Sequence, residues 1–379
     1  MISIKDLKKF VGIIIIMFCA VFICNLFLNY RLDLKKIEVY ATTNELYDFY
    51  KARVATANMV SFVTGACLFL TSITMLFFYI KNYLDVHKNE LGILKALGYR
   101  NMQISRKFWI FGLSVLLGGT LGYLASFLVI PLFYNIQNKS ILLPPVSLTW
   151  HLILYVYLVI FPTLAFSLLS IFYTQRKLKS SALSLIKEVP EYTKLVKKTQ
   201  ENESDTFMKD LQKTTLKSKK TLVFFIGFSA FCFSEMIQMS ASIKEFSDIL
   251  MAIITIGIGV VLATTIVILA IESVIKGNLK TIAVMNTFGY SKAECSKSVL
   301  DGYKIFAYLG FMLGTLYQYG ILSIMVNVVF SKVDSGIVYN FDFKAFIVTF
   351  VLFVFTYEIL MAFYKYKISK ISIKEIMLQ

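Results

Sequence analysis

Acids, histidines and cysteines are where chemistry would begin, and in this chain they are scattered. The two histidines, His87 and His151, stand far apart, on opposite sides of the topology read below. Cys19, Cys24, Cys67, Cys232 and Cys295 show neither CxxC nor metal-ligand spacing, and the first four lie inside apolar runs, where cysteine behaves as a small hydrophobe. Two carboxylates interrupt apolar stretches, Glu235 and Glu358. A carboxylate at membrane depth is costly and usually faces a cavity or a partner, so these two are candidates for substrate contact or gating. The competing expectation places Glu235 near the outer interface and hydrogen-bonds Glu358 between helices. Glu272 ends an apolar run and reads as an interface residue. No nucleophile–base pair, acid–base pair or metal set emerges, and no GxxxxGK[ST] phosphate loop occurs. The residues predict no catalytic machinery, no metal and no cofactor bound by this chain.

The elements that hold these residues are apolar. Of 379 residues 57% are hydrophobic and 16% charged, too few charges to cover a soluble core of this size. Each crossing of a bilayer takes about 20 apolar residues. Eight segments qualify: 11–29, 57–80, 108–135, 149–173, 221–240, 248–273, 304–330 and 345–364. The chain therefore reads as an all-α polytopic membrane protein of eight transmembrane helices. The run beginning at Val11 has no small-residue cleavage site after it and reads as a retained helix. Trp109 and Trp150 open the third and fourth crossings as interface anchors.

Net charge is +16, and the lysines cluster in short segments between apolar runs. Such clusters fit inner loops facing anionic lipid, not a nucleic-acid reading surface. Lys5, Lys8 and Lys9, then Lys81 to Lys107, Arg176 to Lys220, Lys276 to Lys297 and Lys365 to Lys374 all fall inside if both termini are cytoplasmic. The loop 30–56 is the exception, since it carries Arg31, Lys35, Lys36, Lys51 and Arg53 outside. Basic stretches flanking each half, such as Met208 to Lys220, read either as amphipathic helices on the inner surface or as plain stop-transfer charge.

The order of spans and loops repeats. Leu91-Gly92-Ile93-Leu94-Lys95-Ala96-Leu97-Gly98-Tyr99 returns weakly as Ile282-Ala283-Val284-Met285-Asn286-Thr287-Phe288-Gly289-Tyr290, each copy between the second and third spans of its half. Spaced glycines follow both copies: Gly118, Gly119 and Gly122, then Gly310 and Gly314. Two pseudo-symmetric four-helix units result, 1–176 and 221–379, joined by a basic cytoplasmic linker, 177–220. Leu91, Leu94 and Leu97, and likewise Ile282, Met285 and Phe288, recur at helical spacing as a short apolar stripe. Such a helix fits a groove of a partner protein, or rests on the membrane or the chain's own linker. Gly98 and Gly289 suit the turn that ends it.

Asn89-Glu90-Leu91-Gly92-Ile93-Leu94-Lys95-Ala96-Leu97-Gly98 resembles the hallmark E-I-G-x-L-[KR]-A-[LI]-G of FtsX-like ABC transporter permeases, the MacB/LolC/BceB group. The second copy departs from it, with Thr281 for Glu90, Ala283 for Gly92 and Asn286 for Lys95. The resemblance places FtsX-like cores at about 57–176 and 248–370. It implies a separate cytoplasmic ABC ATPase that carries ATP and Mg and couples to Glu90, Leu91, Gly92, Leu94, Lys95, Leu97 and Gly98, and to Ile282, Met285, Asn286, Phe288 and Gly289. With two coupling helices on one chain, two ATPase copies per chain are expected. The substrate expected is a peptide or lipid-like molecule reached from the membrane, as in antimicrobial-peptide resistance or bacteriocin immunity. The alternative is a mechanotransmitter or sensory scaffold that moves no substrate. Lys-, Ile- and Asn-rich usage and short outer loops point to the cell membrane of a Gram-positive bacterium.

Overall fold

The computed structural model describes residues 10–138, 144–186, 207–242, 249–291, 294–295, 300–330 and 340–370. Every regular element among them is helical. The first half holds α1 (Val11–Leu34), α2 (Asn44–Val86), α3 (Lys88–Ala96), α4 (Asn101–Ser105), α5 (Ile110–Gln137), α6 (Leu152–Tyr155), α7 (Phe161–Lys177) and α8 (Ala182–Ile186). The second holds α9 (Phe207–Ser218), α10 (Lys220–Ser242), α11 (Ile249–Thr287), α12 (Gly302–Phe330) and α13 (Phe343–Lys370). A π turn at Val156–Ile160 joins α6 to α7, just before Pro162, which has no N–H to continue the regular ladder.

Seven helices among the described residues are long and apolar enough to cross a membrane. The eighth expected crossing, 57–80, lies within α2, a continuous helix of 43 residues, several of whose side chains fall outside the described set. At 1.5 Å per residue α2 is about 65 Å long, twice a hydrocarbon core of ~30 Å. The 39-residue α11 is nearly as long. Each is longer than a single crossing needs.

Burial ranks the helices. The most apolar stretches of α1 and α10 are 61% and 72% buried, those of the α6–α7 span and α13 only 17% and 22%. Thus α1 and α10 are the pillars, and the last span of each half is the lipid-facing wall. Each pillar packs most extensively on the third span of its own half, α1 on α5 and α10 on α12. Glycine makes that approach possible. A Cβ on Gly118 or Gly122 would lie 3.0 Å from the Cα of Ile14 or Phe18, and one on Gly314 would lie 3.0 Å from that of Phe231. Small residues at such spacing bring membrane helices into backbone contact.

The halves meet around a pseudo-two-fold axis. Asn82 of α2 donates to Ser273 of α11 at 3.0 Å. Each stands nine residues before its copy of the motif, so equivalent positions touch, as they do only on a two-fold axis. Phe78 meets Phe225 at 5.6 Å between ring centroids. The reciprocal contact is present too, Leu269 against Gly12. Across the axis α1 also packs on α11, and α2 on α10 and α12.

A candidate coupling site on one face

Both copies of the motif lie at the same end of the bundle, beyond the second span of each half. In α3, Leu91 is buried, Leu94 is partly buried and Gly92 faces inward. The second copy, at the end of α11, buries Ile282, Ala283 and Met285. Four residues expected to face a partner, Leu91, Leu94, Ile282 and Met285, therefore pack inward. The reason is the bundle below them, which offers apolar surface to whichever stripe is richest. The outward apolar residues lie on the other side of the helix turn. Ile93 and Leu97 are 51% and 70% exposed, and Val284 and Phe288 are 46% and 79% exposed. Leu97 and Phe288 were expected there from their spacing; Ile93 and Val284 were not. Their signal is the i, i+4 pairing with Leu97 and Phe288.

Each outward pair ends in the same cap. Gly98 and Gly289 both adopt φ +89°. The Tyr99 N–H bonds to the Leu94 carbonyl and the Tyr290 N–H to the Met285 carbonyl, both at 3.3 Å, while Gly98 and Gly289 bond three residues back at 3.1 Å. This is a Schellman cap, in which glycine takes the left-handed position at least cost. The chain then restarts alike. Gln103 accepts from the Arg100 N–H at 3.0 Å, and Glu294 accepts from the Ser291 N–H at 2.9 Å. The hydroxyl and N–H of Ser291 hold the exposed Glu294 carboxyl below its usual range.

The two copies are mounted differently. α2 breaks at His87, whose ring stacks on Tyr83 at 4.1 Å, and α3 follows as a separate helix. In the second half Asn278 occupies that place; its amide donates to the Val274 carbonyl at 2.7 Å and accepts from Lys219 at 2.8 Å. The helix runs through unbroken to Thr287. Lys95 points to the chain's own carbonyls, donating to Leu178 and Ser180 at 2.6 Å each. Its charge completes the C-terminal end of α7, where helix carbonyls favour a cation. Asn286, at the equivalent position, is half-buried. Glu90 is exposed and lines a cavity of about 170 Å³ with Tyr83, His87, Leu94, Tyr99 and Lys107.

The remaining candidates lie elsewhere. Glu358 of α13 pairs with Lys304 in the first turn of α12, both about half exposed. Glu235 is 1% exposed, packed between α10 and its neighbours. The two histidines are at opposite ends of the bundle. His151 lies 2.9 Å from Asp33, which also accepts from Tyr134 at 2.8 Å and the Thr149 N–H at 3.1 Å. Nothing in the spacing of those residues announces this cluster, which joins α1, α5 and the segment before α6. The face of α9 that carries Leu211 and Leu216 packs on the core, with Leu216 and Gln212 against Gly302 of α12, so this basic stretch leans on protein. Among the described residues no group of three His, Cys, Asp or Glu is placed to hold a metal.

The model of the FtsX-like permease C-terminal domain matches the chain twice, at 62–180 and 253–373, together more than half its length. No curated protein and no solved structure matches it. Proteins of this family are membrane subunits, in general non-catalytic, that work with a cytoplasmic ABC ATPase. Each match spans one motif, its glycine cap and the glycine-bearing helix after it, so the chain belongs to the FtsX-like permease family and carries the family's unit twice.

Proposed function

We propose that this chain is the transmembrane subunit of an ATP-driven transporter and docks a dimer of a separate ATPase on its two exposed apolar pairs. The observation that carries this reading is the duplicated surface: Ile93 with Leu97, and Val284 with Phe288, each closed by a glycine at the same φ and both on one face of a pseudo-two-fold bundle. An exposed Phe and Leu beside basic residues suit grooves with apolar floors and acidic rims. Glu90 is exposed for contact, while Leu91, Gly92, Leu94, Lys95, Ile282, Met285 and Asn286 set the posture of the docking helices. The motif face is then cytoplasmic, with both termini inside a bacterial plasma membrane. ATP and Mg belong to the partner.

One chain supplies both docking helices, so the complex holds one permease and two ATPases. The substrate is a peptide or lipid-like molecule that enters from the bilayer, consistent with resistance to antimicrobial peptides in a Gram-positive cell. Glu235 and Glu358 carry no direct contact in this reading; the first is packed and the second ion-paired.

Leu97→Asp and Phe288→Asp test it. Each change replaces an exposed anchor by a charge and should cost about 2 kcal/mol of docking energy, the loss of a typical interface hot spot. Together they should abolish co-purification of the ATPase and leave the bundle folded. Mass photometry of the unmodified complex should give two ATPases per chain. Retained ATPase in the double variant, or two permease copies per complex, would refute the proposal. ATPase docking that controls an external partner without any flux would transfer the reading to a mechanotransmitter.

A further inference from the structure

The two pillar seams, α1 on α5 and α10 on α12, are alike near the motif face and differ at the far end. In the second half Ser234, Gln238, Ser242, Thr315 and Gln318 form a bonded ladder. The Ser234 and Thr315 hydroxyls lie 2.8 Å apart, and the Gln238 amide donates to both at 3.0 Å. Further along, Gln318 donates to Ser242 at 3.0 Å, and Ser242 donates to the Gln238 carbonyl at 2.9 Å.

In the first half Asn25, Asn29 and Asp33 share one face of α1 at four-residue spacing, all at most 1% exposed. The outer two are engaged. Asn25 donates to Ser126 at 2.6 Å, and Tyr134 donates to Asp33 at 2.8 Å. Asn29, between them, is 0% exposed, and neither its nitrogen nor its oxygen has a hydrogen-bond partner; nor has the Asn25 Oδ1. An amide buried without partners inside a membrane protein is costly. The repeat shows that this cost is avoidable. Counting from the glycine contacts at Phe18 and Phe231, the equivalent of Asn29 is Ser242, which is bonded.

We propose that the far half of the α1–α5 seam opens and that Asn29, with the Asn25 Oδ1, then takes the backbone amide of a peptide substrate. This rests on the transport reading above and gives that reading a substrate-binding position. Near the motif face Gly118 and Gly122 bring backbones into contact, so that half of the seam stays welded. The far half is polar, hence able to be wetted, and is latched by Asp33. The ligand chemistry follows from the free groups. Asn29 offers an NH2 donor and a carbonyl acceptor, and Asn25 adds an acceptor, the complement of a neutral amide. A charged ligand would lack a counter-charge, because Asp33 is already engaged by Tyr134, Thr149, His151 and Lys36.

Asn29→Cys and Ser242→Cys, each with the five native cysteines changed to Ala, test this in membranes holding the permease and its ATPase. N-ethylmaleimide should label N29C several-fold faster with MgATP than without nucleotide, and S242C in neither state. An inert N29C, or S242C labelled equally, overturns the opening. Asn29→Leu, which removes the unpaired amide, should unfold at the same or higher temperature and lose the stimulation of ATP hydrolysis that a synthetic uncharged Leu–Ser peptide gives with the unmodified permease. Unchanged stimulation would overturn the site. ATPase co-purification is scored on the same samples. Its failure sinks the transport reading, whereas an inert N29C beside a bound ATPase sinks only the seam.

Discussion

Gly98 and Gly289 show how much a single φ can decide. Nothing lies within 4 Å of a Cβ built on either, so substitution meets no steric clash. The cost is conformational alone, about 1–2 kcal/mol for a side chain held in the left-handed region. Gly98→Ala and Gly289→Ala should therefore leave the melting temperature of the whole permease nearly unchanged while fraying the ends of the motif helices. Faster amide exchange at Tyr99 and Tyr290, whose N–H groups close the caps, would register it. Unaltered exchange would mean that the cap does not hold the turn. Lys95 teaches the opposite lesson. Its place in the motif implied a partner contact, yet its amine rests on two carbonyls of its own chain. Sequence spacing identified it as special but could not say toward what, because a lysine stem reaches several neighbours with equal ease.

At the scale of elements, the decisive choice is which stripe of a short amphipathic helix turns inward. Periodicity marked Leu91, Leu94 and Leu97 as one face, and the bundle took the first two. The glycine-bearing helices were legible for a firmer reason, since glycine repeats in an apolar run have few uses other than close packing. Gly122→Leu should force α5 off α1, because its Cβ alone would already crowd the Phe18 backbone. Overpacking of this kind costs about 1–3 kcal/mol or more. Gly314→Leu should behave alike on α12. Both variants should show lowered thermal midpoints in detergent, whereas Gly65→Leu, with no atom within 4 Å, should not. Equal stability of all three would contradict the seam.

Over the whole molecule, duplication and symmetry govern the architecture. The axis passes where Asn82 meets Ser273, so cysteines at those two positions should form a disulfide within one chain. N82C/S273C, in a background free of the native cysteines, should run as an oxidised monomer on a denaturing gel. A cross-linked dimer band in its place would mean that the halves pair between chains, and the expected ratio of one permease to two ATPases would fall with it. The differences between halves matter equally. The first motif rides on a hinged helix stapled to α7, and the second on the rigid end of α11. The second copy thus continues directly into a long helix packed on both pillars.

The sequence by itself determined the solvent and the internal repeat, because long apolar runs and a recurring string of residues have few other meanings; of the eight crossings it predicts, seven are long and apolar enough among the described residues. It also located both motif helices and the glycine that ends each. Only the tertiary structure decided which residues of those helices face out, that Glu358 is paired and Glu235 packed, and that Asn29 stands unbonded between two bonded rungs. Those outcomes depend on contacts between residues a hundred positions apart, such as Asn25 with Ser126 and Asp33 with His151, and no local pattern encodes them.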